Sequence, residues 1–135
     1  MPVMNDPSVV SFDAKRAVEG ALAVAGADLL LVVEYDRAAF EVLYCADVVA
    51  DRYPDDEAMH DHFSGVHSYV YLDFTERELF EELFVDSGRT RALTTYMENL
   101  IAVRVVAEGE GLFLALAPDA PATAVIEAVE DIVHS

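Results

Sequence analysis

The chain has 135 residues, 54% of them hydrophobic and only five of them proline, a composition that excludes disorder and supplies one domain, 1–135, with a sizeable core. Aspartate and glutamate number 26 against eight lysines and arginines, a formal net charge of −18. That balance excludes direct nucleic-acid binding, because no basic patch is present to neutralise phosphates.

Residues 1–7 are expected to be disordered. Over 8–25, SVVSFDAKRAVEGALAVA, apolar residues recur at helical spacing (Val10, Ala14, Val18, Leu22, Ala25), and Gly26 suits a C-terminal stop. DLLLVVEY, 28–35, is apolar almost throughout and predicts a strand buried on both faces. A turn over 36–39 returns the chain as a second strand, FEVLYCA, 40–46, in a hairpin. Pro54 followed by acids predicts a helix start near Asp55 or Asp56, which Gly65 weakens or ends. YVYLDF, 69–74, reads as extended. Thr75 and Glu78 fit a capping box for a helix over RELFEELF that stops at Ser87-Gly88.

RALTTYM (91–97), a Glu98-Asn99 turn and LIAVRVVA (100–107) predict a second hairpin. A turn over 108–110 leads into GLFLALA (111–117). Pro118, Asp119 and Pro121 open a last helix, with Val125, Ile126, Val129 and Ile132 on one stripe. The sum is an α+β chain: a five-stranded antiparallel sheet flanked by three or four helices, in the order α-β-β-α(α)-β-β-β-α. The strands over 28–35 and 111–117 are apolar at nearly every position and need cover on both faces. A few short helices fall short of that, so a homodimer is expected.

Candidate chemistry is sparse. AMHDHFSGVHSY, 58–69, gathers His60, His62 and His67 near several carboxylates. Zinc sites on helices favour histidines four apart with a third ligand from another element. His60 and His67 are seven apart, His62 points elsewhere and Gly65 interrupts the segment, so the histidines read as a hydrated helix face, not as ligands. Ser64 lacks the glycine-flanked elbow of a hydrolase serine. Cys45, the sole cysteine, reads as a small buried hydrophobe. The glycines of GEG, 109–111, precede no helix and so cradle no phosphate. No catalytic constellation is present, and no cofactor or metal is implied.

Three arginines stand out in so acidic a chain. Arg104 is the one charge inside IAVRVV. It reads either as an outward residue paired across the sheet with Glu41 or Glu34, or as an anchor for a ligand or partner. Arg89 and Arg91 bracket Thr90 and are candidate contacts for an acidic partner. Tyr69, Tyr71 and Phe74, with Phe80 and Phe84, form an aromatic cluster. Core packing is its default role, and exposed members would mark an interface.

The element order resembles the roadblock/longin/profilin-like group of small modules, and also GAF and PAS sensor domains. EYDRAAFEVLYCADVV, TTYMENLIAVRVV and GLFLALAPDAP look like segments of a family of small haloarchaeal proteins with no established activity. The charge agrees with that likeness. A net charge of about 2–8 is ordinary for a small domain. A larger self-repulsion is tolerated in molar salt, where the Debye length falls to roughly 3 Å. An ordinary acidic protein with an acidic functional face is the alternative.

Roadblock-like modules dimerise and bind small Ras-like GTPases or scaffold complexes. The resemblance therefore implies a non-catalytic regulatory or scaffold module, homodimeric, with a partner protein of that GTPase class. The GAF/PAS alternative implies a small-ligand sensor with a closed pocket lined by Tyr35, Tyr44, Tyr71 and Tyr96. The longest apolar run, Leu29 to Val33, is too short to span a bilayer. The N-terminus lacks the basic and apolar regions of a signal peptide, so a cytoplasmic location is expected.

Overall fold

The apolar runs become strands where the sequence places them, and the computed structural model, which describes residues 2–134, joins them into one sheet. The strands are β1 (Val3–Met4), β2 (Leu29–Asp36), β3 (Phe40–Cys45), β4 (Ala92–Tyr96), β5 (Ile101–Ala107) and β6 (Glu110–Leu116). All pair antiparallel, in the order β1-β3-β2-β6-β5-β4. The expected architecture holds, with six strands in place of five. The additional one lies within residues 1–7, which were expected to be disordered: Val3 and Met4 pair with Cys45 and Tyr44.

β2 and β6 are the central strands, and both are buried along most of their length. One face carries Leu29, Val32, Val103, Val105, Leu112, Leu114 and Leu116. Helices α1 (Ala14–Ala25) and α5 (Ala122–Val133) cover it through Ala17, Ala21, Val125 and Val129. Small residues let the two helices approach closely: a Cβ on Gly20 would stand 3.9 Å from that of Ala128. The other face is more thinly clad. Leu31, Val33, Val42, Cys45 and Ala115 pack against Met59 of α3 (Asp56–His67), with Tyr53 and Phe63 at the margin.

Two local expectations fail for identifiable reasons. The first helix does not begin at residue 8. Asp13 caps α1 by accepting from the Arg16 amide, while the amides of Ser8, Val9 and Val10 are drawn to the Glu34 carboxylate at 2.6, 3.0 and 3.0 Å. Residues 69–74 are not extended. After Asp55 caps α3 as expected, Gly65 stays within the helix. A tight turn over 68–70 then leads directly into α4 (Tyr71–Leu83). Thr75 is therefore interior, its hydroxyl donating to the Tyr71 carbonyl at 2.9 Å. A single helical turn, α2 (Asp47–Ala50), completes the set.

Candidate functional site

α4 is held to the sheet mainly by one polar cluster. Of its thirteen residues only Asp73 and Phe74 are buried. Asp73 accepts from the Tyr35 hydroxyl at 2.8 Å and from Arg104 at 3.1 Å, and Arg104 also donates to the Thr95 hydroxyl at 3.0 Å. Phe74 packs beside the Tyr35 ring and lies under the Arg37 guanidinium, 4.4 Å from ring centroid to Cζ. Burial, reinforced by the Asp73 carboxylate, pushes the Tyr35 phenol well above its ordinary range, so it stays a donor.

Arg104 is thus partnered by Asp73 from a helix, and the expected pairing with Glu41 or Glu34 is not made. Those glutamates are elsewhere: Glu41 faces Glu34 in the β2–β3 ladder, and Glu34 is fully buried under the N-terminal segment. Arg91 is also engaged, in a two-pronged ion pair with Glu130 of α5. The hydrogen bonds from Arg91 hold the Glu130 carboxyl below the usual carboxylate range. Arg89 is exposed in the loop after α4. Tyr69 and Tyr71 are exposed too, whereas Phe74 is inside and offers nothing to a partner surface.

The sequence singled out Phe80 and Phe84 on the outer flank of α4, and both are exposed, but not the leucines beside them. Leu72, Leu79 and Leu83 recur at spacings of seven and four, which puts them on one stripe with Phe80 beside it. All are about half exposed, at 44%, 54%, 55% and 47%. Phe84 and Val85 continue the apolar surface past the helix. Between α4 and the sheet runs an open groove of about 570 Å³, with Glu76 and Phe80 on one wall and Leu93, Thr95 and Arg104 on its floor. β4 has no buried residue and forms the open edge of the sheet.

The hydrogen-bond phase fixes what that edge offers. Met97 donates to Leu100, and Val106 donates to Arg91, so 91, 93, 95 and 97 bond inward to β5. The N–H and C=O groups of Ala92, Thr94 and Tyr96 therefore point away from the sheet.

The remaining candidates have structural surroundings. His60 and His67 flank the Phe40 ring at 4.9 and 5.4 Å, and His67 Nε2 lies 2.8 Å from the Asp36 carbonyl oxygen. His62 contacts Tyr53 and Phe63. Among the described residues no group of three or more His, Cys, Asp or Glu side chains is placed to hold a metal ion. Cys45 is buried beside Met59, and burial raises its thiol above the ordinary value. The four tyrosines of the sensor reading do not converge: Tyr35 is bound to Asp73, Tyr44 packs in the α1–α5 core, and Tyr71 and Tyr96 are exposed. Among the described residues no helix is long and apolar enough to cross a membrane.

An antiparallel sheet with α1 and α5 on one face and α3 and α4 on the other is the arrangement of the Roadblock/LC7 fold. The Roadblock/LC7 domain from Streptomyces avermitilis superimposes with a TM-score of 0.57 at 15% identity, over 86% of this chain and 88% of that one. The gliding protein MglB from Thermus thermophilus matches with a TM-score of 0.53 at 19% identity, over 96% and 98%. A structure of MglB in a tetrameric arrangement gives the same values. No curated protein matches the sequence. Residues 15–134 match the family described as Domain of unknown function (DUF7522), and the chain belongs to that family.

Proposed function

We propose that this chain is a non-catalytic regulatory or scaffold module that works as a homodimer in a high-salt cytoplasm and binds a partner protein. The observation that carries the reading is the outer flank of α4, four large apolar side chains lying beside an unpaired sheet edge. A second copy is the occupant that fits. Antiparallel pairing of two β4 edges about a two-fold axis would satisfy the outward groups of Ala92, Thr94 and Tyr96 in both copies. The same axis would bring the two α4 stripes together, and covering the exposed half of each leucine or phenylalanine contributes about 1 kcal/mol.

The partner class implied by the roadblock resemblance is a small Ras-like GTPase. Tyr69, Tyr71 and Arg89 are the free members of the partner-binding set. Arg91, Arg104 and Phe74 support it from within, by fixing β4 and α4.

Light scattering at molar salt tests the first half of the proposal. The wild type is expected at twice the chain mass. Thr94→Pro, which removes an outward N–H without touching the ladder to β5, and Leu79→Glu are each expected to give monomer. A wild-type monomer at every concentration would overturn the dimer. Binding of purified small Ras-like GTPases, loaded with GDP or GTP, tests the second half. Tyr69→Ala and Arg89→Ala should weaken that binding while leaving the dimer intact.

A further inference from the structure

The sheet has a second edge, and the structure covers it. Asp36 donates to Ala39 and Ala46 donates to Leu30, while the β2–β3 register shifts by one residue between Val32 and Val33. The backbone groups of β3 that point away from β2 are therefore those of Phe40, Val42, Leu43 and Cys45. The N-terminal segment takes nearly all of these. Val3 and Met4 pair with Cys45 and Tyr44, the Asn5 amide donates to the Leu43 carbonyl at 3.1 Å, and Asn5 Nδ2 donates to the Val42 carbonyl at 2.8 Å. The backbone amide of Asn5 thus serves Leu43, the extra residue that the register shift leaves over, and its side chain serves the neighbouring Val42.

The segment is then tied down at its far end. The Glu34 carboxylate, wholly inaccessible to solvent, receives the three amides of Ser8, Val9 and Val10. Glu110 receives both the amide and the hydroxyl of Ser11. Val10 and Phe12 pack against the α1–α5 core. A two-residue strand would not persist alone, and these anchors are what hold it in place. Glu34 is the only fully buried charge among the described residues, and its bonds serve this segment.

We propose that residues 3–12 are a guard over the β3 edge, and that its function is to keep self-association closed. With β3 covered, two copies meet only at β4, and the assembly stops. With β3 open, each copy presents two edges, and alternating β4–β4 and β3–β3 pairing extends the sheet without limit. The β4 half of this picture rests on the dimer proposed above; the guard itself does not.

The test is Val3→Pro combined with Asn5→Pro, which removes the amides facing β3 and the Asn5 side-chain bond while sparing the Glu34 anchor. Sedimentation velocity at molar salt is compared with wild type over a wide concentration range, with circular dichroism confirming the fold. The expected result is a wild-type mass that levels off and a variant mass that keeps rising. Adding Thr94→Pro to the variant should return it to a dimer, now joined through β3. A folded variant with the wild-type mass at every concentration overturns the guard. A monomeric wild type overturns the β4 dimer but not the guard, which then stands or falls on whether the variant exceeds monomer. If the double proline variant fails to fold, Asn5→Ala carries the test: a smaller concentration-dependent rise supports the guard, and an unchanged mass overturns it.

Discussion

Asp73 has two oxygens and two donors, Tyr35 from β2 and Arg104 from β5, so a single carboxylate ties α4 to both halves of the sheet. Asp73→Asn would leave the Arg104 guanidinium, which is largely buried, without its charge partner. Breaking one side of such a pair costs about 3 kcal/mol, to be read as a lower midpoint of chemical unfolding with an unchanged slope. Glu130 and Arg91 form a second tie, between α5 and the start of β4. Because Arg91 depresses the folded carboxyl below its unfolded value, the contribution is complete above the ordinary carboxylate range and is lost as pH falls through the depressed value. Thermal melts of wild type and Arg91→Gln should accordingly differ at neutral pH and converge in acid.

At the scale of elements, Thr75 separates two readings of the same residues. As an N-cap its replacement by alanine would cost about 1 kcal/mol. As an interior helix residue whose hydroxyl only back-bonds to Tyr71, Thr75→Ala should be neutral or should stabilise by about 0.5 kcal/mol, which a denaturant midpoint resolves. Strands β2 to β6, both hairpins, the body of α1, α5 and the start of α3 were legible because each is decided locally, by apolar period, a cap or a turn. The start of α4 was not, since it depends on Asp73 and Phe74 finding Arg104 and Tyr35, partners about thirty and forty residues away. The same holds for residues 3–12. Their amides are claimed by Glu34 and their strand by Cys45 and Tyr44, long-range events with no local period. One signal was available: Glu34 interrupts an apolar run just as Arg104 does, and an isolated charge in a buried strand demands partners wherever it stands. The partner-binding set was legible only in part. Tyr69, Tyr71 and Arg89 are on the surface, while Arg91, Arg104 and Phe74 are committed to intramolecular contacts.

For the molecule as a whole, charge and self-association are one problem. In the proposed dimer two chains, each of net charge −18, must be brought together as like-charged bodies. In dilute buffer the repulsion acts within each copy and between copies. At molar ionic strength the Debye length is roughly 3 Å, and only the apolar stripe of Leu72, Leu79, Phe80 and Leu83 and the strand edge remain to decide the outcome. Both the unfolding midpoint and the dimer fraction should therefore rise with added potassium chloride, and the dimer fraction should rise more steeply because two such charges meet at the interface. Thr94→Pro separates the two effects, since its midpoint should still climb with salt while its mass stays that of a monomer. Thermal melts and light scattering across a potassium chloride series check this. A midpoint independent of salt would mean that the carboxylates are compensated within each copy, and the acidic surface would then be a feature of partner recognition instead of an adaptation to a saline interior.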